Sequence, residues 1–142
     1  MWLATALFAG TASAGLITVT PAAPTPADPI HVVVQESFAG GVCWRVDSRT
    51  CTFVAPDSVI VTAYIQHCNG GPPCPCTHFP TPFQVTCDFP PLPNGTYLAV
   101  YRERYLNPLD YRQQAPYSVP FTVAGPTPVL RRTWGRLKAH YR

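Results

Sequence analysis

The stretch His67-Cys68-Asn69-Gly70-Gly71-Pro72-Pro73-Cys74-Pro75-Cys76-Thr77-His78 sets three cysteines between two histidines, the densest grouping of ligand and nucleophile side chains in the chain. Residues of these types at this spacing have two chemical uses. Thiolates and imidazoles can hold zinc, with Cys68, Cys74, Cys76, His67 and His78 as the ligand set. Alternatively the cysteines form disulfides, since Cys43, Cys51 and Cys87 complete an even count of six and many connectivities are open. Structural zinc favours paired Cys-x2-Cys knuckles, whereas here Pro75 stiffens a Cys-x-Cys, so the spacing favours bridges over metal. A bridged cysteine is no nucleophile, because catalysis needs a thiolate beside a base. The chain also has no nucleophile elbow, phosphate loop or zinc-protease helix, and its seven acidic residues are scattered over strand ends and turns. The expectation is a protein that is not an enzyme and uses no cofactor or metal. The alternative is a metal-binding or hydrolytic protein centred on His67 to His78.

Disulfides require an oxidising compartment, and the N-terminal sequence supplies an address. An apolar run from Trp2 to Gly10 gives way to Ala12-Ser13-Ala14, the small-x-small pattern of a secretory signal peptide cleaved after Ala14. The run is far shorter than the roughly 20 residues that span a bilayer. No later stretch approaches that length. The sequence therefore predicts a secreted or cell-envelope protein, with residues 1–14 as leader and enough chain remaining for one modest core.

Eighteen prolines, nine glycines and 12% charged residues argue against helices, because proline removes a backbone donor and clashes inside them. Period-two alternation of β-branched and aromatic residues predicts strands at Leu16 to Thr20, Ile30 to Gln35, Val42 to Val46, Ser58 to Gln66, Phe83 to Cys87, Thr96 to Arg104 and Tyr117 to Val123. Between them lie segments rich in Pro, Gly, Asn and Asp, among them "AGG", "DSRTCTFVAPD" and "DFPPLPNG". This spacing predicts an all-β, antiparallel, immunoglobulin-like two-sheet sandwich over 15–125. In "LPNGTYLAVYRERY", Asn94-Gly95 is expected to make a turn, and Tyr97 falls where such sandwiches place a tyrosine corner, with Tyr97, Ala99 and Tyr101 on one face. At the end of that strand and beyond it, Arg102, Arg104, Tyr105, Tyr111 and Arg112 are of the types enriched at binding surfaces. A long loop at one end of the sandwich would present them, or their aromatics would cover the sandwich end.

The order of several short motifs carries a resemblance. "TPAAPTPADPIHVVVQESF", then a cysteine, an apolar strand, "CTHFPTPF" and "LPNGTYLAVY" resemble small immunoglobulin-like modules of exported bacterial proteins. Their pattern is Pro-x-x-Pro-Thr-x-x-Asp and a strand, a Cys, then Cys-x5-Pro-Phe and Leu-x-x-Gly-x-Tyr. The similarity covers about Val19 to Val123. It implies a bridge between Cys43 and Cys76, a sandwich fold and an envelope location, but no activity. Cys51, Cys68, Cys74 and Cys87 depart from that pattern.

The last segment, 126–142, differs from the rest. Five of the ten basic residues, Arg131, Arg132, Arg136, Lys138 and Arg142, crowd into its final dozen positions, while the remaining chain has five basic and seven acidic residues. Thr127 and Pro128 would open a helix with Leu130, Trp134, Leu137 and Tyr141 on one face. The ending resembles Thr-Trp-Gly-x-x-Lys-x-x-Tyr-Arg tails of some exported bacterial proteins. Two readings stand side by side: a sorting or attachment segment that contacts an anionic surface through its apolar and basic residues, and a solvated basic end. Basic charge confined to a tail is not the footprint of a nucleic-acid binder. The expected partner is a protein, glycan or envelope component, and the expected role is adhesion, structure or ligand presentation.

Overall fold

A computed structural model describes residues 15–39, 43–68, 76, 79–107 and 115–126. Among these the chain forms strands β1 (Leu16–Thr20), β2 (Ile30–Phe38), β3 (Trp44–Val54), β4 (Ser58–His67), β5 (Thr81–Phe89), β6 (Gly95–Tyr105) and β7 (Tyr117–Val123). They assort into a three-stranded sheet of order β1-β2-β5 and a four-stranded sheet of order β3-β4-β6-β7. The inner rows of both sheets meet in one core. Ile30, Val32, Val34 and Phe38 of β2 and Val85, Cys87 and Phe89 of β5 face Val59, Val61, Ala63 and Ile65 of β4 and Tyr97, Ala99 and Tyr101 of β6. Burying each large apolar side chain contributes about 1.5 to 3 kcal/mol, and alternate spacing is what lets a strand bury one row while its other row meets solvent.

Three expectations are corrected. First, the sandwich is not wholly antiparallel: β4 and β6 pair in parallel, from Ser58↔Leu98 to Ile65↔Tyr105. Each connection reverses the chain, so strands an even number of steps apart run the same way. The chain visits the other sheet as β5 between β4 and β6, and it is β4, not β3, that lies beside β6. Second, the strand expected at Val42 to Val46 extends to Val54, through residues whose polarity reads as turn. β3 is an edge strand, exposed from Asp47 onward, so it lacks the apolar alternation of a half-buried strand. Its register shifts between Val46 and Ser48, and Asp47 and Arg49 place charge along it, two devices that discourage edge-to-edge pairing. Third, Asn94-Gly95 is not a hairpin turn. Gly95 already pairs with Val123, and the Asn94 side-chain amide donates to the Gly125 carbonyl at 3.1 Å, because residues 90–94 cross between sheets.

Local turns match their sequence. Asp28 N–H donates to the Thr25 carbonyl at 3.0 Å, while Thr25 Oγ1 and N–H donate to Asp28 Oδ2 at 2.7 and 2.8 Å, giving the Thr-x-x-Asp spacing a physical basis. The Thr25 hydroxyl, then its N–H, hold the Asp28 carboxyl below the usual aspartate range. The folded carboxyl thus binds its proton less tightly than the unfolded one, so this turn's support is present above the ordinary aspartate range and lost as pH falls below it. The end of the domain docks on the same turn: Ala124 N–H donates to the Pro24 carbonyl at 3.0 Å, and Gly125, at φ 149°, adopts a conformation that side chains rarely allow. Residues 1–14, and 127–142 of the C-terminal segment, lie outside the described residues.

Candidate functional site

The sandwich is cross-linked where its sheets open. Cys51 of β3 bonds to Cys87 of β5, joining the edge of one sheet to the edge of the other. Cys43, just before β3, bonds to Cys76, the pair that the resemblance implies. Cys68 is bridged as well, and its partner falls outside the described residues. A sulfur in a disulfide is not a thiolate ligand, so Cys68 and Cys76 are withdrawn from the zinc set. His67 ends β4 with its ring edge-on to Trp44 at 5.1 Å. His78 and Cys74 lie outside the described residues.

Tyr97 is buried at the entry to β6. Its hydroxyl donates to the Pro93 carbonyl at 2.9 Å and its ring stacks on Phe121 at 5.5 Å. This is the back-bonding geometry of a tyrosine corner, and it pins the sheet-to-sheet crossing to the strand it feeds.

The candidate binding residues divide. Arg102 and Arg104 fall at the end of the expected strand and Tyr105 just past it, and β6 runs on through Tyr105, so strand alternation sends the arginines to one face and the tyrosine to the other. Tyr105 faces inward, edge-on to Trp44 at 5.5 Å, with its hydroxyl on Glu103 Oε2 at 2.7 Å. Glu103 also takes the hydroxyl of fully buried Tyr101 on Oε1 at 3.0 Å, so this acid holds one core tyrosine and one that packs against the core. Tyr111 and Arg112 lie outside the described residues, as do Leu130, Arg131, Arg132, Trp134, Leu137, Lys138 and Tyr141.

Arg102 and Arg104 stand about 7 Å apart on the outer face of the four-stranded sheet, two residues along one strand. Their register neighbours on β4 are Thr62 and Tyr64, and Arg102 Nε donates to Thr62 Oγ1 at 3.0 Å. One step further out, Arg45 of β3 donates through Nε and Nη2 to Gln66 Oε1 at 3.0 and 2.6 Å, and Asp47 stands 3.6 Å from its Nη2. The four basic residues among the described ones, Arg45, Arg49, Arg102 and Arg104, all belong to this sheet. Three of them, with Tyr64, share its outer face. Guanidinium groups fixed by hydrogen bonds keep donors in a planar fork that matches carboxylate or phosphate oxygens. Arg45, Tyr64 and Gln66 do not stand out in the sequence; the signal for them is the outward phase of β3 and β4, which needs the strand pairing to be read.

No family model matches the chain, and no curated protein or solved structure matches it either.

Proposed function

We propose that this chain is an exported, disulfide-stapled, immunoglobulin-like module of the bacterial envelope that works by binding rather than catalysis. Its outer four-stranded face would receive an anionic envelope glycan. The observation that carries the reading is the shared outward face of Arg45, Arg102, Arg104 and Tyr64. Arginine and tyrosine at a rigid sheet offer charge-assisted hydrogen bonds and flat apolar contact at little entropic cost. The immunoglobulin-like assignment is supported by the partition of the strands, first, second and fifth against third, fourth, sixth and seventh, and by the Tyr97 bond to Pro93. The exchanged places of β3 and β4 are this chain's departure from that plan. Export is supported by the bridged cysteines. Among the described residues no helix is long and apolar enough to cross a membrane.

The test is retention on immobilised acidic and neutral envelope polysaccharides. Arg102→Ala with Arg104→Ala is expected to weaken binding to the acidic polymer by about tenfold while leaving the melting midpoint near wild type, because the pair is at the surface. Salt should weaken what remains. Equal retention on neutral polymer, or an unchanged affinity in the double variant, would exclude this face as the binding surface.

Within the same reading, 126–142 is a sorting or attachment segment. Deleting 127–142 is expected to spare the thermal midpoint, since the last strand ends at Val123, while moving the protein from the cell fraction to the medium. Identical fractionation would leave it a solvated end.

A further inference from the structure

Glu36 is the one acidic residue in the inner row of β2. It lies between Val34 and Phe38, both in the core, and is only 7% exposed. Its Oε2 accepts the Ser37 N–H at 3.1 Å. Its Oε1 is turned toward the start of β1, where the β1–β2 register, Leu16 opposite Gln35, brings Gly15 across from it. A Cβ on Gly15 would collide with both the Glu36 carboxylate and the hydroxyl of Tyr117 at the start of β7. The absent side chain is therefore what lets two polar groups from two sheets close on one backbone position. The small-x-small rule constrains the residues before the cut. Glycine after it leaves the room in which these two side chains meet.

We infer that the chain contains a docking site for its own α-ammonium group, formed by Glu36 and Tyr117 and filled when the leader is removed after Ala14. The inference rests on the export reading for the position of the cut. Hydrolysis of the Ala14–Gly15 amide adds water across the bond, leaving a carboxylate on the departing leader and an amine on Gly15 that is largely protonated at neutral pH. That nitrogen shares a Cα with the side-chain position that Glu36 Oε1 crowds, which puts the two within about 5 Å of each other. Before cleavage the nitrogen is a neutral amide carrying the preceding chain. After cleavage it is a cation beside a largely buried carboxylate, where charge-assisted hydrogen bonds are shorter and stronger than neutral ones. Maturation would thereby fasten β1, the outermost strand of its sheet, to β2 and β7 at the moment the protein leaves its leader behind.

Two chains ending at Arg142, one starting at Gly15 and one keeping Ala14, provide the comparison, each also made with Glu36→Gln. The Gly15-start protein is expected to melt about 5 °C above the chain longer by one residue, with that gap closing in the Glu36→Gln pair. Its α-amine should acetylate about tenfold more slowly than in the Glu36→Gln protein, because an ion pair that raises the amine pKa by about one unit cuts the reactive free base accordingly. The single lysine, Lys138, serves as internal reference. The wild-type pair needs no core substitution, so the comparison survives if the Gln variant fails to fold. Matched midpoints in the wild-type pair, or equal acetylation rates, would overturn the docking site. N-terminal sequencing of the exported protein reports separately on the cut: Gly15 is expected first, and any other start would overturn processing at this position whatever the engineered pair shows.

Discussion

Replacing Cys51 and Cys87 together by alanine should lower stability by about 4 kcal/mol, the loop-closure entropy that a cross-link over this separation removes from the unfolded chain. The bridged positions are 36 residues apart, a separation that the logarithmic dependence on loop length makes nearly as costly to close as a much larger one. The native side adds to the effect. Cys87 is buried in the inner row of β5, and Cys51 sits on the exposed edge strand β3, so the bond is the covalent link between sheets at this seam. The expected thermal shift is about 15 °C. The loop closed by Cys43–Cys76 overlaps this one, so removing both bridges should cost less than the sum. Intact mass under non-reducing conditions gives the independent check, because three bridges remove about 6 Da of hydrogen. A midpoint within a degree or two of wild type would mean that β3 is held by its β4 pairing alone.

The strands that bury one face along their length could be read from the sequence, and the exposed part of β3 could not. Leu16–Thr20 and Tyr117–Val123 fall where alternation puts them, because each sets apolar side chains toward the core at every second position. Trp44–Val54 loses that signal at Asp47, where the edge becomes exposed on both faces and charge is useful against aggregation. The parallel β4–β6 pairing is invisible to periodicity, since a strand's own pattern does not say which neighbour it takes. A hint was present nonetheless. Val59, Val61, Ala63 and Ile65 make β4 far more apolar than β3, which is the mark of an inner strand rather than an edge.

The sites divide along the same line. Cysteines announce oxidation by their count, yet their partners are decided by which strands meet across the sandwich. Arg102 and Arg104 were recognisable as binding types at the end of an expected strand, but Glu103 between them occupies a position in the inward phase, where an apolar residue is the usual signal, so alternation does not show that the strand continues to Tyr105. The Glu103 carboxylate is accommodated by the hydroxyls of Tyr101 and Tyr105, two residues before and after it on the same face of the strand. Glu36 breaks the phase of β2 in the same manner. In both strands an acid in the core row marks where the sandwich handles polar chemistry, and a sequence read for apolar alternation passes over it.

Tyr97→Phe should cost about 1 to 3 kcal/mol, because it keeps the ring while leaving the Pro93 carbonyl without the donor that reaches it at 2.9 Å. The ring's stacking on Phe121 and its place in the core are retained by phenylalanine, so the change isolates the hydroxyl. Proline has no N–H of its own, and the carbonyl of Pro93 lies on the crossing that carries the chain from β5 in one sheet to β6 in the other. A loosened crossing would also be felt at Asn94, whose amide holds the Gly125 carbonyl and with it the end of the domain. Urea unfolding is the measurement: the midpoint should fall with the slope unchanged, since the surface exposed on unfolding is the same in both proteins. A loss below about 0.5 kcal/mol would show that water reaches the carbonyl and replaces the bond, and the crossing would then be fixed by ring packing alone.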